Sequence, residues 1–177
     1  MRQIVVEGKK REVPDGMTYL ELAKEYQKDY LHDIVLVLEN GKMRELFRRV
    51  KNDSVVTFLT TGHTDGHKTY KRSATLLLLK AIFDVAGKEA VTGIKIHFSV
   101  SQGYYCTSKY LKPDAAFLDQ VQARMEELAA QSIPIRKKTV PVEEAIENFS
   151  RRGMKDKAKL FWYRRSSSVN IYDLDGF

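Results

Sequence analysis

The chain has 177 residues, with 30 basic against 23 acidic side chains for a net charge of +7, 43% hydrophobic and 30% charged residues. This balance is that of a folded globular protein and excludes a disordered or fibrous chain, while the length accommodates one domain or two small ones. The longest apolar stretch, Leu76–Leu79 followed by Ala81–Ala86, is interrupted by Lys80 and Asp84 and falls short of the roughly 20 residues that span a bilayer. The first 20 residues include Lys9, Lys10 and Arg11 and lack the apolar segment and cleavage site of a signal peptide, so a cytoplasmic location is expected. A single cysteine, Cys106, excludes an internal disulfide and any zinc site built from several thiolates.

In chain order, Ile4-Val5-Val6 is a short β-branched run, Gly8 offers a turn, and Arg11-Glu12-Val13 returns toward Pro14-Asp15-Gly16, so a hairpin is predicted. Thr18 and Glu21 have capping-box spacing, with Met17 and Leu22 placed for a hydrophobic staple. A helix is predicted from Thr18, with Leu22, Ala23 and Tyr26 on its apolar side, fading near Lys28–Tyr30. Ile34–Leu38 reads as a central strand, Asn40-Gly41 as a hairpin turn, and a further strand as running through Leu46-Phe47. After an Asn52-Asp53 turn, Val55–Leu59 supplies the last strand of this half.

Strand, strand, helix and further strands within residues 1–61 give the order of a β-grasp, or ubiquitin-like, unit. The Val13-Pro14-Asp15-Gly16-Met17-Thr18 turn into the helix is similar to that of the TGS domain of threonyl-tRNA synthetases. That resemblance implies RNA or regulatory-ligand binding and no catalytic constellation.

Gly62-His63-Thr64-Asp65-Gly66-His67-Lys68 reads as a polar loop and marks the expected boundary between a domain at 1–61 and another at 62–177. Ala74–Ala86 is apolar almost all round and is predicted as a buried helix ending at Gly87. Ile94, Ile96, Phe98 and Val100 alternate with Lys95, His97 and Ser99 as in a half-buried strand, and Gly103–Cys106 continues into a second. Pro113 and Asp114 suit a first helical turn, followed by Phe117, Val121, Met125 and Leu128 at helical spacing. Ile133–Val140 is a basic strand, Val142–Phe149 a short helix, Arg164–Ser168 a mobile turn and Val169–Leu174 a last strand.

Charge separates the halves. Residues 1–61 carry 11 basic and 10 acidic side chains, residues 62–177 carry 19 and 13. Within 151–165, Arg151, Arg152, Lys155, Lys157, Lys159, Arg164 and Arg165 accompany only Asp156. A phosphate-bearing partner such as tRNA or a nucleotide is the functional reading of this segment, and a solvated surface the bland one.

Gly103-Tyr104-Tyr105, Met125–Leu128, Ile135–Lys137, Glu144-Ala145, Phe149, Arg152-Gly153 and Lys157-Ala158 together resemble the editing domain shared by threonyl- and alanyl-tRNA synthetases. The class expected for the whole chain is α+β, the second domain carrying an antiparallel sheet and a buried helix and ending at Asp175-Gly176-Phe177 before its fold is complete. The resemblance implies a ligand pocket near Arg72, Ser73, Gly103, Tyr104, Tyr105 and Lys157. It also implies a metal held by two histidines one helical turn apart, but those positions are Arg72 and Leu76 here. A guanidinium and an isobutyl group are not ligands, so no metal site is expected. His63 and His67 have the same spacing, yet Gly62 and Gly66 argue against a helix there, and surface histidines are expected instead. His97 is expected to be a hydrogen-bonded strand residue and Cys106 an inert thiol in an apolar strand.

A TGS-like unit joined to an editing-like unit without the histidine pair, with Tyr70-Lys71-Arg72-Ser73 before the buried helix, also resembles the N-terminal region of bacterial uridine (nucleoside) kinases. In those proteins a P-loop kinase domain follows, which implies ATP and Mg for that downstream domain and no cofactor in this segment. No Gly-x4-Gly-Lys-[Ser/Thr] pattern occurs in the 177 residues. The expectation is a non-catalytic accessory module partnering a kinase domain in the same chain. The alternative is a tRNA-binding or aminoacyl-tRNA deacylating module related to threonyl-tRNA synthetase.

Overall fold

The computed structural model describes residues 1–101 and 103–177, Asp156 by its backbone alone, and divides into two compact units, Met1–Ala74 and Thr75–Phe177. Both mix helices and strands, in keeping with the expected α+β class. No described helix is long and apolar enough to cross a membrane.

In the first unit, β1 (Arg2–Val6) and β2 (Lys9–Val13) form an antiparallel hairpin closed by Glu7 and Gly8, whose φ values of 47° and 79° give a two-residue turn matching the strand twist. Helix α1 (Tyr19–Tyr26) starts on the predicted capping box: Glu21 N–H donates to Thr18 Oγ1, and the Glu21 carboxylate accepts from Thr18 N–H. A 3-10 turn at Gln27–Asp29 ends it. Strands β3 (Ile34–Glu39) and β4 (Lys42–Glu45) are joined by Asn40-Gly41, again with two positive φ values, 49° and 76°.

Strand β5 (Ser54–Thr60) lies between β1, to which it is parallel, and β3, to which it is antiparallel, giving the order β2-β1-β5-β3-β4. Ile4, Val6, Val13, Val37, Val56 and Phe58 from the sheet bury against Leu22 and Ala23 of α1. Tyr26 and Tyr30 flank Phe58, with ring centroids 5.3 and 5.8 Å away.

The fourth strand stops at Glu45 instead of continuing through Leu46-Phe47. The Leu46 and Arg48 carbonyls accept from Leu20 and Tyr19 N–H, and Val50 N–H donates to the Met17 carbonyl. This segment therefore leaves the sheet to satisfy first-turn donors of α1 that have no intrahelical partner.

The segment expected as a loop at 62–68 is largely helical: α2 runs from Thr64 to Thr92. His63 caps it, its Nδ1 accepting from Asp65 N–H at 3.2 Å and its carbonyl from His67 N–H at 2.8 Å. Gly66 is a packing residue rather than a helix breaker, because a Cβ there would lie 2.0 Å from the Thr60 carbonyl oxygen. The expected stop at Gly87 is a break, with φ 81° and ψ −178°, after which helical turns resume.

In the second unit, β6 (Ile94–Val100) pairs only with β7 (Gly103–Ser108), and β8 (Arg136–Pro141) only with β9 (Ser168–Asp173), among the described residues. Two separate antiparallel ladders replace the single sheet expected. The α2 residues 75–92 are not buried all round: Ala81, Ile82, Ala90 and Val91 pack with Val121 and Leu128 of α3 (Ala115–Ala130), whereas Phe83 is exposed. Ile94, Leu111, Ile133 and Phe177 pack against the same cluster, so cover comes from several segments and is incomplete. Asp114 precedes α3 as its N-cap, accepting from Phe117 N–H, rather than lying in the first turn. A smaller core joins Val140, Val142, Ala145 and Val169, from β8, α4 (Val142–Arg151) and β9.

Candidate nucleic-acid interface

The basic segment is mostly helical. Glu143 and Glu144 occupy the first turn of α4, where carboxylates oppose the positive helix end. The chain reverses through Gly153, at φ 78°, into α5 (Lys155–Trp162). Ala158 is buried and Phe161 half-buried, which fixes the inner face of α5.

Phe149 of α4 stacks on Phe161, with ring centroids 5.5 Å apart and planes inclined by 21°. Lys157 Nζ lies 6.0 Å from the Phe149 centroid, and the Arg164 guanidinium carbon 5.6 Å from that of Phe161. Two of the seven cations are thereby held against an aromatic pair, where the ring quadrupole favours positive charge. Helical spacing places Lys155, Lys159, Trp162 and Tyr163 along one stripe beside the buried face. All four are exposed, Trp162 by 63% and Tyr163 by 86%. Arg151 is partly engaged, 3.7 Å from Glu147 and donating to Asn148 Oδ1, while Arg152 and Arg165 face solvent. The side chain of Asp156, the acidic member of this segment, lies outside the described residues.

The amino-acid sequence locates these cations but does not single out the aromatics among them. The signal is present, since Phe161, Trp162 and Tyr163 are consecutive, but which ring packs inward depends on where Phe149 returns to meet α5.

The residues expected around a ligand pocket lie on three elements. Arg72, exposed, and Ser73, half-buried, are on α2 in the first unit. Gly103 opens β7, followed by the exposed Tyr104 and Tyr105, and Lys157 stands on α5. Tyr105 packs against His97 and Phe98, each with a ring centroid 5.5 Å away. His97 Nε2 is 2.7 Å from Thr107 Oγ1 across the ladder. Cys106 is exposed rather than enclosed in an apolar strand, because the β6–β7 ladder leaves most of both faces open.

The metal implied by the editing-domain resemblance does not fit the residues present, since Arg72 and Leu76 of α2 offer no ligand atom. The Nδ1 lone pair of His63 is engaged as the α2 cap. Among the described residues, no three His, Cys, Asp or Glu side chains gather as a metal site requires. An open cavity of about 500 Å³, unforeseen from sequence, lies on the first unit's sheet beside Gln3, Val5, Lys10, Glu12 and Asp53.

Comparison with known proteins places the chain beside synthetases. It is 29% identical over 173 residues to a threonine–tRNA ligase of Methylococcus capsulatus, a match covering 97% of this chain and 27% of the ligase. It is 26% identical to the threonine–tRNA ligases of Pelobacter propionicus and Chlorobaculum tepidum, over 97% and 99% of this chain and 27% of each ligase. The chain thus spans about a quarter of the length of the curated relatives it matches. No family model matches it.

Proposed function

We propose that this chain is a tRNA-contacting module related to the N-terminal region of threonyl-tRNA synthetases. The observation that carries the reading is the α4–α5 surface, where Lys155, Lys159, Arg152 and Arg165 are exposed and Lys157 and Arg164 are held over aromatic rings. Clustered cations of this kind neutralise phosphates and release counterions, which is the main sequence-independent source of nucleic-acid affinity. The threonine–tRNA ligase relatives support the same partner. The strand order β2-β1-β5-β3-β4 around α1 supports a TGS-type β-grasp for the first unit, and the second unit is read as editing-like.

Binding rather than hydrolysis is the activity proposed, because Arg72 and Leu76 replace the implied metal ligands. Within the second unit, Gly103, Tyr104, Tyr105 and Lys157 are the residues proposed to contact a nucleotide-like or aminoacyl-like group. The kinase-associated accessory role, with its ATP and Mg, draws no support from the ligase relatives.

The test is equilibrium binding of tRNA across a salt series. A log–log slope equivalent to several released counterions is expected. Salt-independent binding, or no retention at low salt, would defeat the proposal.

A further inference from the structure

The exposed stripe of α5 is not purely cationic. Lys155, Lys159, Trp162 and Tyr163 follow one another on one side of the helix, and Arg164 and Arg165 come immediately after. Trp162, 63% exposed, and Tyr163, 86% exposed, set two adjacent aromatic side chains among these cations. Duplex RNA presents phosphates and 2′-hydroxyls but keeps its base faces stacked except at its ends, so along its length it offers these rings no free face. Unpaired nucleotides offer both, a phosphate for each cation and a free base face for each ring.

We infer that Trp162 and Tyr163 form a stacking platform for unpaired RNA nucleotides, with Lys155 and Lys159 holding the adjoining phosphates. This rests on the RNA-binding reading and adds to it the form of RNA recognised. Charge complementarity selects the occupant: the flanking cations draw a polyanion, and the aromatic faces discriminate its single-stranded parts. Phe149 and Phe161 stack on one another inside the site and are committed to holding Lys157 and Arg164, which leaves Trp162 and Tyr163 as the outward rings.

Trp162 is the chain's one tryptophan, so its fluorescence reports this site alone. The experiment titrates the whole chain with a short single-stranded RNA and with a blunt duplex of equal phosphate number. Trp162 emission and the anisotropy of a label on the RNA are read together. The single strand is expected to quench Trp162, the duplex to bind without quenching, and Trp162→Ala to weaken the single strand about ten-fold. Trp162→Phe should restore most of that loss, which separates stacking from a general effect on the fold. Lys155→Ala with Lys159→Ala should weaken both RNAs while leaving the quench at saturation. Anisotropy binding with no quench and no effect of Trp162→Ala would overturn the platform while leaving RNA binding intact. Absence of any anisotropy change would overturn the RNA reading itself, and the platform with it.

Discussion

The phenolic Oη of Tyr19 donates to Oε1 of Glu39 at 2.8 Å in the core of the first unit, where Tyr19 is fully buried and Glu39 is 4% exposed. The other carboxylate oxygen is met by Arg44 Nε at 2.9 Å and Lys51 Nζ at 3.4 Å. One acidic side chain thereby joins α1, β3, β4 and the segment before β5. Removing the phenol leaves the carboxylate short of a donor, so Tyr19→Phe is expected to lower unfolding free energy by about 1–2 kcal/mol in urea titration. An unchanged midpoint would show that the bond is dispensable.

The same network sets a pH dependence with two limbs. Burial works to raise the Glu39 carboxyl, but hydrogen bonds from Arg44 and Tyr19 and the charge of Lys51 outweigh it and bring it below its ordinary 4.5. A depressed carboxyl stabilises the fold fully above its unfolded value, so that contribution should vanish as pH falls below about 4.5. Burial, with the Glu39 hydrogen bond next, pushes Tyr19 up to about 12. Tyr30 is also raised to about 12, by burial and then by its hydrogen bond with Glu7. Raised phenols stabilise the fold below their unfolded value and cease to do so as pH climbs from 10 to about 12. Tyr19→Phe should flatten this alkaline limb in part, with Tyr30 accounting for the remainder. Superimposable alkaline profiles for the two proteins would remove Tyr19 from this account.

Gly66 tests whether helix propensity or packing governs the start of α2. Propensity alone would make Gly66→Ala stabilising by about 1 kcal/mol. The Thr60 carbonyl, 2.0 Å from the added methyl, makes the opposite expectation: a loss of about 2 kcal/mol, read from the denaturation midpoint. A stabilised variant would mean that α2 does not press on the end of β5.

Lys80 is 6% exposed, with its ammonium 2.8 Å from Asp84 and 3.8 Å from Asp175. Arg124 of α3 meets the other Asp84 oxygen at 2.9 Å. Burial works to raise the Asp84 carboxyl, and the hydrogen bonds from Lys80 and Arg124 more than offset it, leaving it below the usual range. Asp84→Ala leaves the buried Lys80 ammonium with only the exposed Asp175 at 3.8 Å and should cost about 3 kcal/mol, whereas Lys80→Met should be neutral to within about 1 kcal/mol. Equal losses for the two variants, by calorimetry or urea titration, would argue against an uncompensated charge.

For the proposed interface, Arg164→Ala with Arg165→Ala is expected to reduce the salt slope of RNA binding by about 1.4, near 0.7 for each single-strand phosphate no longer neutralised. A parallel shift with unchanged slope would place these arginines away from the phosphates.

Features governed by neighbouring residues were legible in the sequence. Thr18 and Glu21 formed the capping box, Asn40-Gly41 formed a turn with two positive φ values, and Phe117, Val121, Met125 and Leu128 defined the inner side of α3. Hydrogen-bond reach and backbone sterics within a few residues decide such features, so their spacing encodes them. The run of cations at 151–165 belongs to the same class, as composition.

Tertiary structure decided the rest. Gly66 suggests a break until the Thr60 carbonyl is found against it, and Lys80 interrupts an apolar run until Asp84 and Asp175 converge on its ammonium. Phe161 turns inward and Trp162 outward because Phe149 supplies a stacking partner for one ring only. In each case the deciding atom arrives from another turn or element, and packing density and desolvation, which depend on everything brought into contact, set the outcome.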